Sequence, residues 1–248
     1  MNNYDFCTQW VISKKSGETF RILDYGCGAG QIVVQLMQNN VDAYGCDVFY
    51  EGADYLKSVD PKLIGIKIKP MKESESFKIP FDDNFFDCII NNQVMEHVED
   101  IDFTLGEMNR VLRPNGVILS LFPSMGTWRE THCGVFFLHW FPKHSRFRVY
   151  YGAMCGLFGF GYHKEDRGII EWSEHKCKWL DQYTHYRTND QIKTAYSKYF
   201  KDIEHLEDFW VQQRLKSKKI LVSWLPAFIQ KTLVNKMCGI MFSVRSAK

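Results

Sequence analysis

Short apolar runs alternate with amphipathic stretches over the first half of the chain. The apolar runs predict buried strands at residues 21–25, 41–47, 63–68, 88–92 and 117–122. The stretches around them predict helices at residues 4–13, 31–37, 51–57 and 102–112. Strands that alternate with helices along a chain form a parallel sheet with helices on both faces. We therefore predict an α/β fold for this half.

The pattern changes after Pro123. Residues 124–187 show little strand or helix periodicity, and they carry six of the eight histidines and four of the seven tryptophans. A helix start with Thr188 or Asn189 as its cap follows, and then strands are predicted at 200–210 and 239–245. We therefore interpret 124–187 as an insertion between the fifth strand and its helix.

Three glycines at alternate positions follow the first strand. The segment Asp24–Gly30 has the pattern Asp-x-Gly-x-Gly-x-Gly, and a helical pattern begins after it. Glycine tolerates positive φ and has no side chain, so such a turn brings bare backbone N–H groups against a ligand. A dinucleotide fingerprint would need a further glycine at position 31, where the chain has Gln31. A pyrophosphate ligand is therefore disfavoured.

The second strand ends in an acid, Asp47. In an open α/β sheet the ligand lies beyond the carboxyl ends of the strands, so Asp24, Gly26 and Asp47 are expected to face one crevice. A carboxylate accepts two hydrogen bonds at once, which suits the two hydroxyls of a ribose. A solvated strand end is the alternative for Asp47.

The glycine pattern resembles the first motif of the class I, Rossmann-like S-adenosylmethionine-dependent methyltransferases. Three later segments resemble further motifs of that family, in the family's order: 75–87 (Asp-Ala-x-x-Leu-Pro-Phe, then Phe-Asp), 96–98 (Glu-His-Val) and 111–116 (Leu-Arg-Pro-Gly-Gly). The resemblance implies a doubly wound sheet of seven strands, mostly parallel with the last strand antiparallel. The whole of 1–248 is then one methyltransferase domain.

The resemblance also implies the cofactor, S-adenosylmethionine, and its contacts. Glu75 would accept from the adenine amino group, although the family usually has Asp there, and the backbone N–H of Ser76 would reach a ring nitrogen. Asn92 and Gln93 would line the methionine half and face the acceptor. The predicted cofactor-binding residues are Asp24, Gly26, Cys27, Gly28, Gly30, Asp47, Val48, Glu75, Ser76, Asn92 and Gln93.

The histidines of the insertion are the candidate catalytic residues. A hydroxyl acceptor needs a general base, and histidine accepts a proton near neutral pH. His132 and His139 follow the fifth strand, where the acceptor must approach, and their surroundings loosely resemble family members that act on sugars and bacterial surface glycans. Hydrogen bonding inside an irregular lid is the alternative for both, and a structural role is expected for His97.

We therefore expect O-methylation of a sugar or glycan hydroxyl. Methylation of a small natural-product or quinone-like acceptor, at carbon or oxygen, is the alternative. A second alternative is a protein that binds S-adenosylmethionine without catalysis, although Asp24, the glycines and Asp47 are intact. A zinc site from His132, Cys133, His175 and Cys177 lacks the spacing of a structural zinc motif, so no metal is expected.

Composition limits which binding partners and which cellular compartment we expect for this protein. A net charge of +2 over 248 residues gives no electrostatic reason to expect nucleic acid, whose binding surfaces carry clustered Lys and Arg. The eight cysteines form no Cys-x-x-Cys pair, and the N-terminus has no basic region followed by an apolar stretch. These features predict a reducing, cytoplasmic setting. No apolar run reaches the roughly 18 residues of a membrane span.

A second insertion is predicted at 211–237, between the last two strands, where a short turn would be enough. Residues 216–234 combine a basic cluster with an apolar stretch that contains Trp224 and Phe228. That composition is typical of a helix lying in a membrane interface. Pro226 interrupts the stretch, so burial as a lid or homodimer contact is the alternative that we favour.

Overall fold

The computed structural model describes residues 2–48, 55–72, 76–164, 167–214 and 226–248. The strands are Arg21–Tyr25 (β1), Asp42–Asp47 (β2), Ile68–Pro70 (β3), Phe86–Asn92 (β4), Leu112–Phe122 (β5), Phe200–His205 (β6) and Ile240–Ser246 (β7). The α-helices are Asn3–Lys14 (α1), Gln31–Gln38 (α2), Tyr55–Ser58 (α3), Ile101–Val111 (α4), Arg146–Leu157 (α5), Ile169–Tyr183 (α6), Asn189–Ser197 (α7), Glu207–Arg214 (α8) and Ala227–Met237 (α9). No helix in these ranges is long and apolar enough to cross a membrane.

The strands form one seven-stranded sheet in the order β3-β2-β1-β4-β5-β7-β6. The pairs from β3 to β5 are parallel, and β7 runs antiparallel to both of its neighbours. The predicted Rossmann-like, doubly wound α/β sheet with an antiparallel last strand is therefore confirmed. The chain reverses its strand order between β1 and β4, which is where such folds bind their ligands.

Side chains that alternate along the central strands supply both faces of the sheet. One face carries Ile22 and Ile90 under α1 and α2, and the other carries Leu23 and Ile89 under α4 and α7. Because successive side chains of a strand point to opposite faces, a strand with apolar residues at adjacent positions must be covered on both sides. This explains why apolar runs, rather than strict alternation, marked these strands.

Two predicted strand boundaries were wrong. The run 63–68 forms turns as far as residue 67, because Gly65 has a φ of 79° and the N–H of Ile68 bonds back to the Leu63 carbonyl. Only Ile68–Pro70 pairs with β2. The run 200–210 leaves the sheet after His205, and the acidic first turn of α8 then favours a helix start.

The turn predicted at 113–116 is a bulge inside a longer strand. Leu112 pairs with Phe86 and Val117 pairs with Cys88, so β5 carries three more residues than β4 between these pairs. Asn115 is one of the residues in this bulge, and its backbone has a φ of 60°. Of the helix predicted at 51–57, only the part that begins at Tyr55 lies among the described residues.

The segment after β5 holds two helices that the sequence pattern did not predict, α5 and α6. They pack on each other over a small core of their own, formed by Cys133, Val135, Leu138, Trp172, Cys177 and Leu180. The ends of the segment meet, because the Met125 N–H donates to the Arg187 carbonyl at 2.8 Å. The predicted cap at Thr188 is present, as a capping box with Gln191 at the start of α7.

Candidate active site

The glycine-rich turn joins the end of β1 to the start of α2. Its three glycines have positive φ, of 75° at Gly26, 51° at Gly28 and 77° at Gly30. A Cβ on Gly26 would lie 2.3 Å from Val94, and one on Gly30 would lie 2.5 Å from Ile68, so packing excludes side chains at both. A Cβ on Gly28 would meet no described atom within 4 Å. Gly28 therefore presents bare backbone to open space, as a ligand-holding turn requires.

Hydrogen bonds hold this turn against the end of β2. The N–H groups of Gly26 and Cys27 both donate to the Cys46 carbonyl, at 2.8 and 3.1 Å. The N–H of Gly28 donates to a carboxylate oxygen of Asp47 at 2.6 Å. The structure thus brings the turn and Asp47 to one crevice, at the carboxyl ends of β1 and β2.

Two carboxyl groups, a buried one on Asp24 and a half-buried one on Asp47, lie at this edge of the sheet. Asp24 is only 2% exposed, and its burial, followed by the charge of Asp47, raises its pKa well above the ordinary value. Burial also raises the pKa of Asp47, against the N–H groups of Gly28 and Val48, which lower it. Desolvated carboxylates repel a pyrophosphate and attract a cation. The donor set therefore fits S-adenosylmethionine, which carries a positive sulfonium and an amino group.

The end of β4 lies beside the glycine-rich turn, because Val94 is the side chain that a Cβ on Gly26 would strike. Gln93 turns the chain there with a φ of 59°, and its N–H donates to the Leu121 carbonyl at 2.7 Å. The side-chain oxygen of Asn92 accepts from the Asn3 amide at 3.3 Å. Asn92 and Gln93 therefore flank the same crevice as the turn.

The predicted adenine side is described only in part. Glu75 lies outside the described residues. Ser76 is exposed with a φ of 52°, and Val48 is half-buried beyond the end of β2. The N–H of Phe77 donates to the Lys72 carbonyl at 2.9 Å.

His132 lies in a hydrogen-bonded group of side chains from distant parts of the chain. Its Nδ1 is 2.7 Å from a carboxylate oxygen of Glu130, and its Nε2 is 3.2 Å from Nε2 of His97. The Tyr186 hydroxyl donates to the same Glu130 oxygen at 2.6 Å. The Cys133 N–H donates to the other Glu130 oxygen, also at 2.6 Å. Glu130 therefore orients the ring of His132.

This group of side chains is adjacent to the crevice through the loop that follows β4. The His97 N–H donates to the Val94 carbonyl at 2.8 Å, and Val94 contacts the turn at Gly26. The Nδ1 of His97 lies 2.7 Å from the Tyr183 carbonyl, so His97 also ties the loop to the end of α6. This bond is the loop-stabilising role expected for His97.

The acids of this group have pKa values shifted in opposite directions. Burial would raise the pKa of Glu130, but hydrogen bonds from His132, Tyr186 and the Cys133 N–H hold it at about 2. Burial would lower the pKa of His132, but Glu130 raises it. Burial raises the pKa of Glu96 to about 8. Glu130 is thus the ionised partner of His132.

His139 is enclosed. Both ring nitrogens are shielded from solvent, and the ring lies 4.7 Å from that of Tyr186. Burial lowers the pKa of His139 to about 4, so the ring stays neutral at physiological pH. Of the two predicted catalytic histidines, the structure brings His132 into contact with other polar side chains and buries His139 behind them.

Sequence analysis missed four residues of this site: Glu96, Trp179, Tyr186 and Arg187. The Trp179 ring packs against that of His132, with centroids 5.1 Å apart and planes tilted by 43°. The Arg187 guanidinium donates to the carbonyls of Val98 and Glu99 at 2.7 Å and so holds the loop after β4. No local pattern joins residues near 96, 130 and 186, which meet only through the fold. The four-residue zinc set containing Cys177 is not a cluster among the described residues.

Comparisons with known proteins show which families and folds the chain resembles. Residues 23–120 match a family described as a methyltransferase domain. Over 106 residues the chain is 29% identical to a ubiquinone biosynthesis O-methyltransferase of Pelagibacter ubique, a match that covers 43% of each chain. Over 110 residues it is 31% identical to the tRNA N(3)-cytidine methyltransferase METTL2 of Danio rerio, covering 41% of this chain and 31% of that one. The chain thus matches less than half the length of these relatives.

Solved structures share the whole fold. A methyltransferase from Mesorhizobium loti, named S-adenosylmethionine dependent, superposes with a TM-score of 0.53 at 15% identity, covering 98% of this chain and 99% of that one. The phosphoethanolamine N-methyltransferase 2 of Haemonchus contortus, in complex with S-adenosyl-L-methionine, gives 0.53 at 13% identity, covering 98% of this chain and 52% of that one. At this level of identity the likeness establishes the fold. Residues 23–120 therefore match a methyltransferase domain, and the chain has the fold of these S-adenosylmethionine-dependent methyltransferases.

Proposed function

We propose that this protein transfers a methyl group from S-adenosylmethionine to an acceptor oxygen. The observation that carries the proposal is the adjacency of two features. The acid-lined glycine turn contacts Val94, and three residues further along the same loop is His97, whose ring contacts His132, the partner of Glu130. The first feature suits a cationic nucleoside cofactor, and the second suits an acceptor that must lose a proton.

The cofactor supplies an activated methyl group on its sulfonium, so the protein has to position the reactants and manage one proton. Asp47 is the proposed partner of the ribose hydroxyls, and Gly28 gives the cofactor close access to the backbone. Asp24 supplies negative charge beside the cationic half. Cys27 and Gly30 shape the turn, and Val48, Glu75 and Ser76 remain the proposed adenine-side contacts.

His132 is the proposed general base. Its Nδ1 faces the ionised Glu130, so Nε2 is the atom that would accept the proton of the hydroxyl. Glu130 would then stabilise the imidazolium that forms. His139 is the less favoured candidate for the general base, because both of its ring nitrogens are shielded from solvent.

The acceptor that we propose first is a sugar or glycan hydroxyl. Aromatic side chains beside polar groups suit a carbohydrate, and Trp179 and Tyr186 flank His132. A small quinone-like or natural-product acceptor is the second candidate, favoured by two relatives named as ubiquinone biosynthesis O-methyltransferases. Incubation with methyl-labelled cofactor and cell extracts distinguishes them. Label in nucleotide sugars or lipid-linked glycans supports the first, and label in small lipids or phenols supports the second.

On the acceptor so identified, the two histidines should behave differently. His132→Ala should lower turnover by about 10²- to 10⁴-fold, the usual contribution of a general base. His139→Ala and the exposed control His175→Ala should keep most of the turnover of the parent. Single-turnover rates at saturating cofactor measure the effect. Full turnover by His132→Ala would exclude His132 as the base.

For 216–234, peripheral membrane contact is the alternative to the lid or homodimer contact that the sequence favours, and one observation supports it. In the described part of this segment Phe228 is 70% exposed, and Lys231 follows on the same helix. Apolar and basic groups together bind anionic lipid surfaces. Co-sedimentation with anionic liposomes at low salt should capture the protein, and Phe228→Ser should reduce the captured fraction. If the parent does not sediment, the segment is a lid or homodimer contact.

A further inference from the structure

Three potential metal ligands converge beside the proposed acceptor site. Glu96 and His97 come from the loop after β4, and His132 comes from the segment after β5. One ligand atom from each lies within 4.8 Å of the others. Sequence analysis did not bring these three residues together, because 34 positions of chain separate His97 from His132.

Hydrogen bonds fix the proton positions on both rings. The Nδ1 of His97 faces the Tyr183 carbonyl at 2.7 Å, and a carbonyl can only accept, so this nitrogen carries the hydrogen. The Nδ1 of His132 lies 2.7 Å from a Glu130 oxygen that also accepts from the Tyr186 hydroxyl, so this nitrogen carries a hydrogen as well. In the neutral state each ring therefore has its lone pair on Nε2.

The two lone pairs point at one another. The Nε2 atoms are 3.2 Å apart, and two lone pairs at that distance repel unless a proton or a cation lies between them. Zn²⁺ binds imidazole nitrogen at about 2.0–2.1 Å, and a tetrahedral angle between two such bonds separates the nitrogens by about 3.3–3.4 Å. The observed spacing is close to that of two ligands of one ion.

Glu96 supplies the negative charge that such an ion needs. It is 1% exposed, and neither carboxylate oxygen has a hydrogen-bond partner among the described residues. A buried carboxyl group without partners is costly. A cation held by the carboxylate and the two imidazoles would remove that cost.

We propose that Glu96, His97 and His132 bind a divalent transition-metal ion of the zinc type. Two imidazoles and one carboxylate form a donor set that leaves a fourth position open. Nitrogen ligands favour Zn²⁺ and its neighbours over Mg²⁺ or Ca²⁺. Glu130 and the Tyr183 carbonyl serve as the outer partners that orient the ligating rings. The ion would tie the segment after β5 to the loop after β4.

Binding of the ion is separate from the proposed function, because it needs neither cofactor nor acceptor. The two are linked through one atom, since the ion uses the Nε2 of His132 that would otherwise accept the acceptor's proton. We therefore expect added Zn²⁺ to lower turnover. Activation by Zn²⁺ would contradict the base role of His132 and leave the metal site standing.

The test uses the full chain stripped of metal with a chelator and titrated with Co²⁺ and Zn²⁺. Co²⁺ should give the visible absorption of a low-coordinate nitrogen and oxygen site, without the near-ultraviolet band of a thiolate ligand. Calorimetry should give one Zn²⁺ per chain. Glu96→Gln and His132→Ala should abolish this binding, and Glu130→Gln should weaken it about 10- to 100-fold. The control His175→Ala should bind as the parent does.

Thermal unfolding shows whether a variant that fails to bind the ion is still folded. Zn²⁺ should raise the unfolding temperature of the parent and of His175→Ala, because the ion binds only the folded state. Glu96→Gln, which keeps the shape of the side chain, should unfold cooperatively with no response to Zn²⁺. Absence of Co²⁺ binding by the parent, a thiolate band, or equal affinity in Glu96→Gln would overturn the proposal.

Discussion

At the scale of single residues, the crevice depends on what surrounds each carboxyl group. Asp24 follows two buried apolar residues of β1, Ile22 and Leu23, and stays inside the sheet, where its charge is poorly solvated. Asp47 is held by the N–H of Gly28. Both acids were predicted from the sequence, because the carboxyl ends of neighbouring parallel strands share one edge. Their raised pKa values could not be, since burial and the distance between charges come only from the fold.

The raised pKa of Asp24 makes the stability of the protein depend on pH. Below the ordinary pKa of aspartate, about 3.9, folded and unfolded chains both hold this proton. As the pH rises above that value the unfolded chain loses the proton first, so the free energy of unfolding falls until the pH passes the folded-state pKa. Asp24 thus contributes a penalty at neutral pH that is absent in acid.

Asp24→Asn should remove this penalty. The variant should gain stability relative to the parent as the pH rises from about 4 toward 7, because the amide does not ionise. Urea unfolding at a series of pH values measures the difference. The control Asp82→Asn changes an exposed side chain. Its free energy of unfolding relative to the parent should change less with pH. If the free energy of unfolding of Asp24→Asn differs from that of the parent by the same amount at every pH, the explanation is contradicted.

At the scale of elements, α5 and α6 are the part of the fold that the sequence did not predict. The stripe of α5 that would mark a helix is exposed instead of buried, and it consists of Phe147, Tyr150, Met154 and Leu157. A buried Arg148 faces the core side of the same helix. Because α5 also carries apolar residues on its core side, among them Val149 and Ala153, its apolar positions do not form a single stripe, and the pattern did not predict a helix.

Arg148 and Asp181 join the two helices as a buried ion pair. Their side chains are 4% and 7% exposed, and Asp181 also accepts from the His144 N–H at 2.8 Å. Arg148→Ala leaves the Asp181 carboxylate buried without its main partner and should cost about 3–5 kcal/mol of stability. Lys198→Ala breaks the exposed Lys198–Asp102 pair and should cost about 1 kcal/mol or less. Chemical denaturation compares the two, and equal losses would mean that the buried pair is not a structural link.

At the scale of the whole molecule, the Rossmann-like sheet with its helices supports a second layer, residues 124–187, that forms the proposed acceptor side. The domain was predictable because its glycine turn, strand ends and acids lie at fixed spacings along the chain. The acceptor side was not, because Glu96, His132 and Tyr186 come from three separate segments. The two layers meet where the His185 N–H donates to the Glu96 carbonyl at 2.6 Å. The loop after β4 therefore contacts both the turn and the second layer.

The central claim is that the glycine-rich turn holds S-adenosylmethionine, and calorimetric titration with S-adenosylhomocysteine tests it most directly. Gly28 and Gly17 both have positive φ and open space at the Cβ position, but only Gly28 lies in the crevice. Valine at either position carries similar backbone strain. We predict one-to-one binding by the parent and by Gly17→Val, and no detectable binding by Gly28→Val. No binding by the parent, or parent-like binding by Gly28→Val, would contradict it.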